Sequence, residues 1–181
     1  ALRDASALMA MQPLSIETVD SKVLGLAKAD IVWQQVAEFF PEVAGQSAVM
    51  GINLVEFVGD DVPALQAQVA RFVAHLQADA AVTRLNITEA WGSVAVERVY
   101  AMRKRSVGLL GNVEGERRPQ PFVEDTAVPP ENLAAYIAEF RALLDGMQVD
   151  YGMFGHVDAG VLHVRPALDM KNPQDAAKIK P

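Results

Sequence analysis

Two histidines with six residues between them stand in the stretch Gly155-His156-Val157-Asp158-Ala159-Gly160-Val161-Leu162-His163. Asp158-Ala159-Gly160 are turn residues with apolar, strand-like residues on both sides, so the spacing predicts a β-hairpin. With a two-residue turn at Ala159-Gly160, Asp158 faces Val161, Val157 faces Leu162 and His156 faces His163. Directly opposed residues share a face with Cβ atoms roughly 5 Å apart. Two imidazoles so placed can share a divalent metal, because zinc–nitrogen bonds are only about 2.0–2.1 Å long. A bulged turn would shift that register. On spacing alone the plainer reading, two half-buried histidines near a turn, is favoured, since two imidazoles are an incomplete metal site. His75, remote from both, reads as an ordinary helix-flank residue.

Two arginines are the next candidates. Arg103 falls seven after Val96 and four after Val99, so it shares the apolar face of a helix and needs a partner there. A substrate carboxylate suits its planar fork; a protein carboxylate, or a stem that carries the charge out to solvent, is the alternative. Lys104 and Arg105 read as a solvated face. Arg165 lies two after His163 and so points to the same sheet face as both histidines, unless it is simply an exposed strand residue. Glu124 and Asp125 sit at a strand end before a helix. Acid–base chemistry is open to them, but capping of the helix by Asp125 or Thr126 is the more ordinary job.

The elements that must position these groups are legible from period and punctuation. Pro63 follows Asp60-Asp61-Val62, where a first-turn proline costs no hydrogen bond. Leu65, Val69, Phe72, Val73 and Leu76 then predict a helix of about 63–79. A second helix opens at Pro129-Pro130-Glu131 and carries Leu133, Ile137, Phe140 and Leu144, with Gly146 placed to end it in the left-handed conformation. Strand-like runs flank each: Ala48–Val58 and Val82–Thr88 around the first, Pro121–Asp125 and Val149–Val157 around the second. The segment 90–110 also reads as a helix, 111–120 as a polar loop, Asp30–Phe40 as a short amphipathic helix and Asp4–Met11 as another. Two strand–helix–strand units predict an α+β, ferredoxin-like fold, an antiparallel sheet with helices packed mainly on one face.

Composition narrows the function classes. The 181 residues suit one domain, 1–181, with 16 Lys+Arg against 23 Asp+Glu and a net charge of −7. Such an acidic surface argues against nucleic acid as a partner. There are no cysteines, which excludes thiolate metal sites, iron–sulfur ligation and a cysteine nucleophile within these residues. The longest apolar run, Ala48 to Gly59, is too short for a transmembrane segment, and a cytoplasmic protein is expected. The lack of an initiator Met and the closing stretch Asn172 to Pro181 suggest a piece of a longer chain.

Together these residues resemble the C-terminal cap domain of FAD-linked oxidases related to vanillyl-alcohol oxidase and p-cresol methylhydroxylase. Within that group they are most similar to the FAD-linked D-2-hydroxyacid dehydrogenases, which act on glycolate, D-lactate or D-2-hydroxyglutarate. The resemblance runs from Ile16-Glu17-Thr18-Val19-Asp20 through Glu56-Phe57-Val58-Gly59-Asp60 and Tyr100-Ala101-Met102-Arg103-Lys104 to the Glu124–Pro129 turn. Its most specific part is the Gly-His-x6-His hairpin. Tyr151 to Pro166 is similar to the large bacterial branch fused to an iron–sulfur module.

The resemblance implies that FAD is bound mainly by a separate domain of the parent, and that any iron–sulfur cluster lies outside these residues. It implies that His156 and His163 ligate a divalent metal, expected to be zinc, and that Arg103 holds the carboxylate of a 2-hydroxyacid. It puts the third ligand and the catalytic histidine in a Glu-His-Gly motif past Pro181, leaving no catalytic residue here. Three positions depart from the family pattern. The His-x-Gly-Asp-Gly-Asn-x-His hairpin is His-Val-Asp-Ala-Gly-Val-Leu-His; a lysine of some members is Val123; a common asparagine is Arg165. A cation at Arg165 would suit a second carboxylate, as in 2-hydroxyglutarate. The rival expectation is a non-catalytic ferredoxin-like module that binds a small ligand or a protein.

Overall fold

A computed structural model describes residues 2–42, 45 and 47–179. In chain order the elements are helix α1 (Ala5–Met9), strand β1 (Ser15–Val19), α2 (Ser21–Ala29), β2 (Ile52–Glu56), α3 (Val62–Ala78), α4 (Ser93–Leu110), β3 (Arg118–Pro119), β4 (Val123–Ala127), α5 (Leu133–Gly146), β5 (Tyr151–His156), β6 (Val161–Leu168) and α6 (Pro173–Ala177). Short 3-10 turns fill Leu2–Asp4, Ile31–Gln35, Ala37–Phe39 and Pro130–Asn132. The six strands form one antiparallel sheet in the order β2-β1-β5-β6-β3, with β4 also on β6. This is the α+β, ferredoxin-like arrangement that the sequence predicts.

The pleat sends alternate residues to opposite faces. On one face Ile16, Met153, Leu162 and Val164 pack with α1, α3 and α5 through Leu8, Phe72, Leu76, Leu133, Ile137 and Leu144. The two helices α3 and α5 therefore share a face, as expected. The opposite face is half covered: Val19, Ile52 and Phe154 pack with Val23, Leu24 and Ala27 of α2 and Val99, Met102 and Leu110 of α4. Each fully buried aliphatic side chain contributes about 1.5–3 kcal/mol, so both layers hold the sheet. The part of this second face towards β4 and the ends of β5 and β6 carries the polar residues of interest.

Local starts and stops explain the main elements. Asp61 accepts from Ala64 N and Pro63 occupies the first turn of α3. Asp20 caps α2 by accepting from Val23 N and also takes Met153 N of β5, at 2.9 Å each. That second bond ties the helix to the sheet. Burial holds the Asp20 carboxyl above its ordinary pKa despite these donors.

Several expectations are corrected. Val82–Thr88 alternates like a strand but joins no sheet. Its polar side chains bond to the body instead: Arg84 binds Asp4, Asp79 and the Leu76 and Asp79 carbonyls, Asn86 donates to Pro41 O and Thr88 to Phe39 O. Asp30–Phe40 forms two 3-10 turns, and the true helix of that region, α2, lies before it. Gly146 does not take the left-handed conformation; Gln148 does, at φ 54°. The strands β2 and β4 are shorter or shifted by two residues against their expected spans. Among the described residues no helix is long and apolar enough to cross a membrane.

Candidate functional site

The β5–β6 hairpin turns over four residues, 157–160, not two. His156 pairs with Val161, Gly155 with Leu162 and Phe154 with His163. The turn opens because its first two residues serve β1: Val157 N donates to Ile16 O at 2.8 Å, and Asp158 accepts from Ile16 N at 3.3 Å. Gly160 closes it at φ 66°, where a Cβ would meet Val128 O at 1.8 Å, so only glycine fits. The register is displaced by two, an even number, so both histidines keep one face. They are diagonal neighbours, with ring centroids 5.6 Å apart and planes at 85°.

Five elements, β1, α4, β4, β5 and β6, contribute to one cluster. Glu17 of β1 lies opposite His156. Its Oε1 is 2.9 Å from His156 Nδ1, and its Oε2 accepts from Arg103 Nη2 of α4 at 2.6 Å. On the far side Glu124 repeats the pattern. Its Oε2 is 2.7 Å from His163 Nδ1, and its Oε1 accepts from Arg165 Nε at 2.9 Å. A bulge in β4 between Val123 and Thr126, with Asp125 at φ 54°, turns this segment out of register. Phe154 sits between the halves: His163 stacks on it at 4.9 Å, and the guanidinium carbons of Arg103 and Arg165 lie 5.6 and 5.2 Å from its ring centre.

The histidines differ in setting. His156 is 42% exposed and His163 is 13% exposed. Buried His163 Nδ1, although close to Glu124, makes no aligned hydrogen bond, and buried Arg103 Nε has no hydrogen-bond partner at all. Arg103 Nε is thus an orphaned polar atom, which desolvation makes costly without a ligand, whereas His163 Nδ1 has the Glu124 carboxylate within ion-pair distance. Next to Glu17 the strip continues: Tyr100 of α4 donates to Glu56 Oε2 at 2.9 Å, and Ser15 lies 3.1 Å from the Tyr100 hydroxyl. Burial first, and the Glu56 carboxylate after it, push the Tyr100 phenol above its ordinary pKa.

The four residues singled out from sequence, His156, His163, Arg103 and Arg165, thus meet on one face. The two roles weighed for Arg103 are answered in part, because a protein carboxylate does pair with it. Arg165 is no free strand cation. Neither Asp125 nor Thr126 caps the next helix; Thr126 donates to Leu162 O at 2.9 Å. Val123 pairs with Val164 and packs into the core on the other face, away from the histidines. His75 is exposed and takes no part. Glu17, Phe154 and the Tyr100–Glu56–Ser15 group went unassigned in the sequence, since nothing local marks a strand carboxylate as the partner of groups 86 and 139 residues away.

The two histidines by themselves could supply at most two ligands to a divalent metal. Each histidine presents Nδ1 to a carboxylate, which leaves Nε2 for a metal and is the usual outer-shell support of a metal-binding imidazole. Among the described residues no group of three or more His, Cys, Asp or Glu converges on one metal position, so a further ligand would have to come from outside them.

Residues 1–181 match the family described as FAD linked oxidases, C-terminal domain. The D-2-hydroxyglutarate dehydrogenase of Pseudomonas putida is 70% identical over 181 residues, all of this chain. Those of Escherichia coli and Haemophilus influenzae are 53% and 49% identical over 99% of it. The chain spans 18% of the length of each of these relatives. With the family matched end to end, the chain belongs to the C-terminal domains of the FAD-linked oxidases.

Proposed function

We propose that this chain is the substrate-binding cap domain of a larger FAD-dependent dehydrogenase that oxidises a D-2-hydroxyacid, D-2-hydroxyglutarate foremost, to the 2-oxoacid. The observation that supports it best is the pair of arginines on either side of Phe154, one beside each histidine. Arg103 binds the carboxylate next to the reacting carbon, its unpartnered Nε completing a bidentate fork. Arg165 binds the carboxylate at the far end of the diacid. His156 and His163 hold a divalent cation, zinc by preference, through Nε2. When bound, FAD supplies the hydride acceptor and the cation supplies positive charge beside the C2 hydroxyl. Phe154 gives the site an apolar floor that excludes water below the substrate. The proton acceptor, the FAD-binding domain and any iron–sulfur cluster belong to other parts of the parent, and the setting in this reading is cytoplasmic. The identity to three proteins named D-2-hydroxyglutarate dehydrogenase favours that substrate.

The test compares kcat/KM for D-2-hydroxyglutarate and D-lactate in the full-length parent. Arg165→Ala is expected to lose roughly tenfold or more on the diacid and far less on lactate, as one desolvated ion pair is worth several kcal/mol when a partner is removed. Equal losses on both acids would refute the assignment of Arg165. His163→Ala should remove metal and activity together, and a full metal content in that variant would refute the metal role.

A further inference from the structure

The same three-part arrangement is built twice on this face, from different elements: Arg103–Glu17–His156 and Arg165–Glu124–His163. In each, one carboxylate oxygen takes a guanidinium N–H and the other faces an imidazole Nδ1. Glu17 is 12% exposed and Glu124 27% exposed, so neither is a surface pair that water can replace without cost. A carboxylate shared in this way does two things. It fixes the direction of the arginine fork and of the imidazole ring through one rigid group. It also cancels the guanidinium charge that would otherwise repel a cation on the neighbouring imidazole.

Charge bookkeeping points the same way. Two arginines and two glutamates sum to zero, and Asp125, 3.5 Å from His163 Nδ1 but largely exposed, adds one screened negative charge, so a divalent cation leaves the site net positive for a substrate carrying two carboxylates. Without the glutamates the arginines and the cation would face one another at close range.

On the reading given above, we propose that Glu17 and Glu124 are positioning residues, each coupling one substrate-carboxylate arginine to one metal-holding histidine. Glu17 governs the end of the site common to all 2-hydroxyacids. Glu124 governs the end that reads the second carboxylate.

The coupling makes a pattern that simple loss of structure does not. In the full-length, flavin-loaded parent, zinc affinity is measured without substrate by competition with a chelator. KM and kcat are then measured for D-2-hydroxyglutarate and D-lactate at saturating zinc. Glu17→Ala should weaken zinc about 10–100-fold, the usual effect of losing an outer-shell partner, and raise KM for both acids by similar factors. Glu124→Ala should weaken zinc comparably but raise KM at least about fivefold more for the diacid than for lactate. Glu17→Gln and Glu124→Gln keep the acceptor and lose the charge, so each should fall between wild type and its Ala variant. If an Ala variant fails to fold by circular dichroism, its Gln variant is judged by the same criteria. Unchanged zinc affinity in both series overturns the coupling, as does one acid preference shared by both. A lower KM in Glu17→Ala would overturn it too, by showing Glu17 to compete for Arg103. Absence of zinc binding in the wild type would sink the metal reading itself, a result separate from any of these.

Discussion

Phe154 lies nearly buried, at 4% exposure, with His163 stacked on its ring and two guanidinium groups within 6 Å of its centre. A guanidinium over an aromatic face gains about 0.5–2 kcal/mol, more where water is excluded. The ring therefore does more than fill space: it lets two like charges approach one substrate-sized region while each keeps its own carboxylate. Phe154→Leu separates these roles. It keeps an apolar side chain but removes the π-face, at about 1–3 kcal/mol of stability from the lost ring contacts and volume. KM for D-2-hydroxyglutarate in the parent should rise several-fold at temperatures where the variant stays folded. An unaltered KM would show the ring to be packing alone. At this scale the histidine pair and both arginines were legible, because spacing and parity follow from covalent geometry. Glu17 was not, because its meaning depends on β5 arriving beside β1.

Among the elements, the β5–β6 hairpin sets the site, and Gly155 is the point within its strands at which it tolerates least. A Cβ there would meet Val161 O at 2.2 Å and Leu162 Cα at 2.9 Å, both backbone atoms of the partner strand. Gly155→Ala should therefore force the strands apart, at about 1–3 kcal/mol, or a drop in Tm of about 2–12 °C for a chain of this size. Thermal melts of the variant check it, and an unchanged Tm would show that the strands can part freely. The long helices α3, α4 and α5 were legible from period, with Pro63 and the Pro129-Pro130 pair marking their starts. α2 was not, since its nine residues bury only Val23, Leu24 and Ala27, too few to set a period. Val82–Thr88 shows the opposite failure. Alternation reports which side chains are covered, and Arg84 and Ile87 are covered there by side-chain bonding and packing, not by a neighbouring strand. The hairpin register was missed because it is decided by Ile16, over 140 residues away in sequence.

Over the whole molecule, stability depends on acids held by cations and backbone donors. Asp30 is held below its ordinary pKa chiefly by Arg105, Asp79 by Arg84 and Asp150 by Lys22. Asp175 is held low first by the Asp169 N–H and then by Arg117. For each, the folded value lies below 3.8, so its contribution is complete above that pH. It is lost as pH falls through the folded value and the unfolded chain takes up protons first. Asp20 runs the other way, since burial raises it and its penalty eases as pH falls towards 3.8. Asp150 is exposed and counts for little, but with Asp30, Asp79 and Asp175 against Asp20 the melting temperature should hold from pH 7 to about 5 and fall below about pH 4. Asp175→Asn should lower Tm at pH 7 and flatten the fall between about pH 4 and 3. A fall as steep as in the wild type would show that Asp175 does not contribute to it.

The position of β1 bears on how the chain is made. Its one edge pairs with β2, available soon after synthesis, but its other edge waits for β5, and Glu56 and Tyr151 are about 95 residues apart. At roughly 5–20 residues per second the ribosome needs on the order of 5–20 s to deliver that partner. Through this interval the edge of β1 that β5 will take stays open, a template for mispairing. The face that carries the two histidines thus forms only once β5 and β6 have been delivered, and until then the open edge of β1 is exposed to chaperones and proteases.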